Sequence, residues 1–238
     1  MRTLLLFALV ACAHAPPVTD DSDAIDDDPE DPNDHLPAVA ASGDATGAAL
    51  VAEAERELSA MRTSHYEHHT HVDEDTGLFD YDCSGFVGYA LSHVSPAALH
   101  AIAERTQRPR PLAKHFEAAL AAPPPPWHSV VRADELQPGD VIAWLEPADI
   151  VSRNTGHVMI VERAPHPSDR PNELVVGVID SSHSQHGHRD SRHAGHRNGL
   201  GKGEIVLVVD ATGAATGFRW SNSGRSHVHE TAIKFGRL

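Results

Sequence analysis

The sequence predicts an α+β domain in which a layer of helices packs on one antiparallel sheet of six strands. Two observations carry this reading. Between residues 45 and 122 apolar residues recur at helical spacing in four segments. Beyond the proline run at 123–126, six short β-branched runs follow one another, separated by turn-forming pairs such as Pro138-Gly139 and Thr212-Gly213. Helices first and strands afterwards give a segregated α+β fold rather than an alternating one. A chain of 238 residues has room for one such domain and extensions to it.

The extension comes first in the chain. Residues 1–12 have a basic start, a short apolar core and small residues at the end, the pattern of an export signal. Leu9-Val10-Ala11-Cys12 resembles the lipobox of bacterial lipoproteins, in which Cys12 is lipid-modified and becomes the first mature residue. Ala13-His14-Ala15 would suit an ordinary signal peptidase, but Pro16 would then follow the cut. The formal charge of −15 is concentrated in residues 20–34, DDSDAIDDDPEDPND, which hold almost no large apolar side chain. Such a stretch repels itself and is expected to be disordered. The expected organisation is a signal with lipobox over 1–12, an acidic tether over 13–44 and a folded domain over 45–238. The expected location is the cell envelope, anchored to a membrane through Cys12 and facing the periplasm. Past the signal no apolar run has the length of a membrane span. Without a basic stripe, nucleic acid is not an expected partner.

Within the domain, residues 45–61 form the first expected helix, with Asp44 as cap, and a polar, histidine-rich loop follows over 63–80. The second helix spans 83–94. Phe86, Val87, Ala90, Leu91 and Val94 fall on one face, and Asp82 caps its start. Ser95-Pro96 restarts a helix running to about residue 105, with serine as N-cap and proline at the first position. A short helix over 112–122 ends at the prolines. The six strands are expected at 141–145, 157–163, 173–180, 204–210, 217–221 and 231–235.

The chain has two cysteines, and with Cys12 lipidated Cys83 has no disulfide partner. It stands at the first turn of a helix, where unpaired amides and the positive end of the helix dipole favour a thiolate and can receive an oxyanion. Ser84 and Gly85 keep the surface beside the sulfur small. A buried structural cysteine is the ordinary alternative, and the flanking Asp82-Cys83-Ser84-Gly85 argues against it. His157 opens one apolar strand and Asp180 closes the next, with a polar loop at 165–172 between them. An antiparallel hairpin places both at the same end of the sheet. Asp180 can then orient the imidazole that activates Cys83, which makes the three a candidate nucleophile, base and orienting residue.

The order Asp82-Cys83-Ser84-Gly85-Phe86, Leu136-Gln137-Pro138-Gly139-Asp140, Gly156-His157-Val158 resembles the NlpC-type cell-wall cysteine peptidases, a papain-like superfamily. The resemblance spans about residues 61–180. It implies a papain-like fold and hydrolysis of an amide bond, typically in peptidoglycan stem peptides, by Cys83, His157 and Asp180 without metal or cofactor. Residues 136–140 become the turn into the first core strand. Two departures stand out. The third catalytic position of that family is commonly histidine, where this chain has Asp180. The aromatic stretch that usually precedes the cysteine has no plain counterpart, which leaves Tyr66 and His71 as candidates for the oxyanion side, with Ser84 beside the nucleophile. The expected product is a monomeric thiol hydrolase. An amidase or acyltransferase using the same three residues, and a non-enzymatic envelope lipoprotein, are the alternatives.

The chain carries 19 histidines, clustered at 65–71 and 183–196. The second cluster mixes them with Arg189, Arg192 and Arg197 at no fixed ligand spacing, and reads as a polar loop bordering the cleft rather than a metal site. His227-Val228-His229 resembles the His-x-His of zinc carboxypeptidases, but Gly224 stands where that pattern wants an acid.

Overall fold

A computed structural model describes residues 47–195 and 198–238. The expected signal, Cys12, the acidic tether and the Asp44 cap lie outside the described residues, as do His196 and Arg197. Four helices precede the main sheet: α1 (Gly47–Ala60), α2 (Cys83–Val94), α3 (Pro96–Thr106) and α4 (Ala113–Ala121). Asp82 precedes α2 in an extended conformation and accepts a hydrogen bond from the Gly85 amide at 2.7 Å. A side-chain cap of this kind contributes about 1 kcal/mol. Phe86, Val87, Ala90 and Leu91 are buried on the face that the spacing indicated. Ser95 is the N-cap residue of α3 and Pro96 its first residue, as the sequence indicates. The Ser95 hydroxyl makes no cap bond to α3, and instead its amide closes α2 on the Leu91 carbonyl at 2.8 Å.

The expected loop at 63–80 contains a small hairpin, β1 (His71–Asp73) and β2 (Leu78–Asp80). Strands of three residues are too short for alternation to reveal. The turn is set by Asp73, whose carboxylate accepts from the amides of Asp75 and Thr76, and by Gly77 at φ +75.

The main sheet has eight strands, not six. They are β3 (His128–Val130), β4 (Val141–Leu145), β5 (Gly156–Pro167), β6 (Glu173–Ser182), β7 (Gly199–Val209), β8 (Ala215–Arg219), β9 (His229–Glu230) and β10 (Ile233–Arg237). Their order is β3-β10-β4-β5-β6-β7-β8-β9, with every neighbouring pair antiparallel. The two additional strands, β3 and β9, are the short edges. β7 also begins at Gly199 rather than near residue 204. The run Gly199-Leu200-Gly201-Lys202-Gly203 lacks the β-branched side chains that mark a strand, yet it pairs with β6 along its length.

Alternation along the strands divides the apolar residues into two cores. Val141, Ala143, Val158, Ile160, Ile179 and Leu200 face the helices and join Leu50, Phe86, Leu91, Ile102 and Phe116. Ile142, Trp144, Met159, Val161, Val178, Ile205 and Phe218 face the other way. The sheet curls on itself around this second group. β10 follows β9 after only two residues although five strands separate them in the sheet order, and it lies against β8.

Candidate functional site

Cys83 is the first residue of α2 and, contrary to the expectation from its flanking residues, is buried, at 3% exposure. The Ser181 hydroxyl donates to the Tyr81 carbonyl at 2.6 Å, fastening the residues ahead of Cys83 to the end of β6. Asp82 is held as an anion under the helix start. Burial works against its charge, but hydrogen bonding to His68, the Arg110 charge and the Gly85 amide together bring its carboxyl down to about 2. Arg110 lies 2.8 Å from the Asp82 carboxylate.

His157 follows Gly156, whose φ of +139 and contact with the Trp144 carbonyl exclude a side chain there. The expected hairpin forms. β5 and β6 pair with Ile160 opposite Ile179, so His157 and Asp180 fall on one face at the same end of the sheet. His157 Nε2 lies 2.6 Å from Asp180 Oδ2. The ring also shares a hydrogen bond with Cys83, for which Nδ1 is the nitrogen left. Burial alone would lower the histidine's pKa. The charge of Cys83 and the hydrogen bonds to Asp180 and Cys83 outweigh it and raise the value to about 10. The imidazolium is therefore the resting form through neutral pH.

Tyr66 completes the cluster. Its hydroxyl hydrogen-bonds Cys83. Burial first, then the negative charges of Cys83 and Asp82, push the phenol far above its ordinary value, so it stays an O–H donor. The ring packs on His183, with centroids 3.9 Å apart. The other sequence candidates sit differently. Ser84 is buried and its hydroxyl donates to Asp82 Oδ1 at 2.9 Å, as part of the helix cap. His71 stands exposed on β1.

The segment after Asp180 was expected to be a polar loop bordering the cleft. The segment borders the site, with His183 against Tyr66, and it also sends three buried side chains, His186, Asp190 and Arg192, toward Asp180 and its surroundings. His186 Nε2 lies 2.7 Å from the same Asp180 Oδ2 that His157 uses. Arg192 donates to Asp180 Oδ1, to the Asp180 carbonyl at 2.7 Å and to Asp190 at 2.6 Å. His186 also stacks on Trp220, centroids 4.7 Å apart. Burial opposes the Asp180 charge, but the charges of His186 and Arg192 and the two imidazole hydrogen bonds hold its carboxyl well below the ordinary range. One sequence feature bears on this brace. The glycines at 201 and 203 leave room for large side chains, since a Cβ on Gly201 would lie 2.5 Å from Arg192 Nε.

The ligand atoms of His157, Asp180 and His186 lie within 4.8 Å of one another, close enough to hold a metal ion. The buried Arg192 guanidinium on the other Asp180 oxygen opposes a dication there, because two neighbouring positive charges would share one carboxylate without water to screen them. The hydrogen bonds fit a carboxylate orienting an imidazole better. Beside this brace, a depression of about 630 Å³ is lined by His183, Ser184, Gln185, Arg192 and residues 193–195.

No family model matches the chain, and no solved structure matches it. A relative described as "Uncharacterized protein R653", from Acanthamoeba polyphaga mimivirus, is 30% identical over 180 residues. The aligned part covers 66% of this chain and 77% of the viral one.

Proposed function

The chain belongs to one family with the mimivirus protein R653, and we propose that it is an exported thiol hydrolase of papain-like architecture that cleaves an amide bond. One observation carries this reading. A thiol at a helix start shares a hydrogen bond with an imidazole whose other nitrogen lies 2.6 Å from a fully buried carboxylate.

The geometry supports the following roles. Cys83 sulfur attacks the carbonyl carbon, and the new oxyanion is received by the first amides of α2 and the Tyr66 hydroxyl. His157, protonated at rest, gives its Nδ1 proton to the leaving nitrogen as the C–N bond breaks. It then takes a proton from the water that attacks the thioester, and expulsion of the thiolate restores the pair. Asp180 holds the ring and stabilises its charged form.

The order of the three motifs supports a peptidoglycan stem peptide as substrate, and the lipobox at Cys12 supports action at the cell envelope. Acyl transfer on the same residues is the second reading. The 3% exposure of Cys83 favours it, since transfer requires that water be kept from the thioester. The test is incubation of the chain and of Cys83→Ala with purified peptidoglycan fragments, read by mass spectrometry. New stem-peptide products that vanish with the substitution are expected. Absence of products while Cys83 still reacts with iodoacetamide would discard the substrate. Acylated amines in place of free acids would establish transfer.

A further inference from the structure

Away from Cys83, the connection between β4 and β5 meets the strand β9. His229 stands on β9 against the Phe218 ring, with centroids 5.2 Å apart and its side chain 16% exposed. His227 lies two residues earlier, its ring 5.2 Å from that of His229. Asp149 arrives from the β4–β5 connection, 80 residues away in sequence. Its Oδ2 is 2.9 Å from His229 Nδ1 and 3.3 Å from His227 Nε2. The three donor atoms all fall within 4.8 Å of one another. The sequence around His227-Val228-His229 offers no acid at the spacing that a zinc motif wants. The fold supplies one from elsewhere.

We propose that Asp149, His227 and His229 form a binding site for a first-row divalent cation of the zinc type. Two imidazoles and one carboxylate are a donor set that such ions favour, whereas calcium and magnesium seek oxygen alone. A tetrahedral zinc with ligands at about 2.0–2.2 Å places its donors roughly 3.3–3.6 Å apart. The His227 contact already has that spacing, and the His229 contact needs to open by only about half an ångström. Ordinary ion pairing is the simpler account of these contacts, but exposed His–Asp pairs contribute little and give no reason for two rings to converge on one oxygen. His227 and Asp149 remain solvent-accessible, with side chains 74% and 41% exposed, so a fourth position is open to water or another ligand. The site also bears on the neighbouring chemistry. The β4–β5 connection that carries Asp149 runs directly into Gly156 and His157, and Glu146 at its start is within electrostatic reach of both His229 and His157.

The test uses the purified full chain, stripped with chelator and titrated with Zn²⁺ by calorimetry and with Co²⁺ by visible absorption. His227→Ala/His229→Ala and Asp149→Asn are compared with Asp180→Asn, which reports on the buried His157–Asp180–His186 cluster. The expected result is one equivalent of metal, with a tetrahedral Co²⁺ spectrum, retained in Asp180→Asn. The double variant should lose it and Asp149→Asn should weaken it more than about tenfold, a cost that even an outer-shell partner can carry. His227→Gln, at an exposed position, covers the case in which the double variant fails to fold. It too should weaken binding more than about tenfold. Equal binding by the wild type and all three site variants would assign the ion to other histidines and overturn the proposal. So would a wild type that binds none.

Discussion

Asp180 accepts hydrogen bonds from two imidazoles and a guanidinium while wholly buried, and each contact restrains the others. Because His157 and His186 share one oxygen, both rings must donate to it, which leaves His157 Nδ1 for the sulfur. His186 carries a cost in this arrangement, since its buried Nδ1 has no hydrogen-bond partner among the described residues. Replacing Asp180 by Asn should lower kcat about 10²–10⁴-fold, the range of a general acid–base contribution. It should also bring the alkaline limb of the pH profile below about 10, because one of the contacts that raise His157 is lost. An unmoved limb in the pH–rate profile would reduce Asp180 to a packing role. Tyr66→Phe removes only the phenolic O–H. We expect kcat to fall about 10²-fold with secondary structure retained by circular dichroism, as for loss of one oxyanion donor. Cys83, His157 and Asp180 were legible in the sequence because each sits at an element boundary with its own signals: a cap and a helix start, a strand start and a strand end. Tyr66 was one of two open candidates. His186 and Arg192 were not legible as site residues, because their place depends on how a nonperiodic loop returns under the sheet.

The elements that carry the site differ in how openly they declare themselves. α2 is written in its cap, its apolar face and the serine and proline that follow. β5 and β6 are apolar runs on either side of a polar turn. β7 is the opposite case, since its first residues look like a linker and act as the floor of the brace. Arg192 and Asp190 lie across the Gly201 and Gly203 backbone, so the absence of side chains is itself the packing. A Cβ on Gly201 would also lie 2.6 Å from Arg192 Cζ, and the fully buried guanidinium is held in place by its bonds to Asp180 and Asp190. Gly201→Ala should therefore cost about 1–3 kcal/mol in urea unfolding, as overpacking does. It should also lower activity, because Arg192 positions Asp180. Gly195→Ala is the control, with nothing within 4 Å of its added methyl, and should leave both unchanged. Equal stability of the two variants would show that Arg192 can move, and that the brace is softer than its contacts indicate.

At the scale of the whole molecule, the curled sheet and the helical layer meet the site at one end of β5 and β6, and α1 reaches it through a buried chain of polar contacts. Glu57 of α1 accepts from the Tyr81 hydroxyl at 2.6 Å, and the Tyr81 carbonyl accepts from Ser181. Glu57 is fully buried, and its Oε1 has no hydrogen-bond partner among the described residues. Burial raises its pKa well above the ordinary 4.5, helped by the charges of Glu53 and Glu74, and the Tyr81 hydrogen bond only partly offsets this. The unfolded carboxyl ionises near 4.5 while the folded one keeps its proton, so folding takes up a proton above that pH. Stability from this position is therefore lost as pH rises from about 4.5 toward the folded value. Glu57→Gln keeps the shape and the acceptor for Tyr81 but cannot ionise. Urea unfolding should find the two proteins similar at pH 4 and the variant more stable at pH 8 by at least about 1 kcal/mol, close to one unit of pKa difference. A gap that stays constant with pH would mean that Glu57 has the same pKa folded and unfolded, and that the α1 contact with Tyr81 is tolerated without a retained proton.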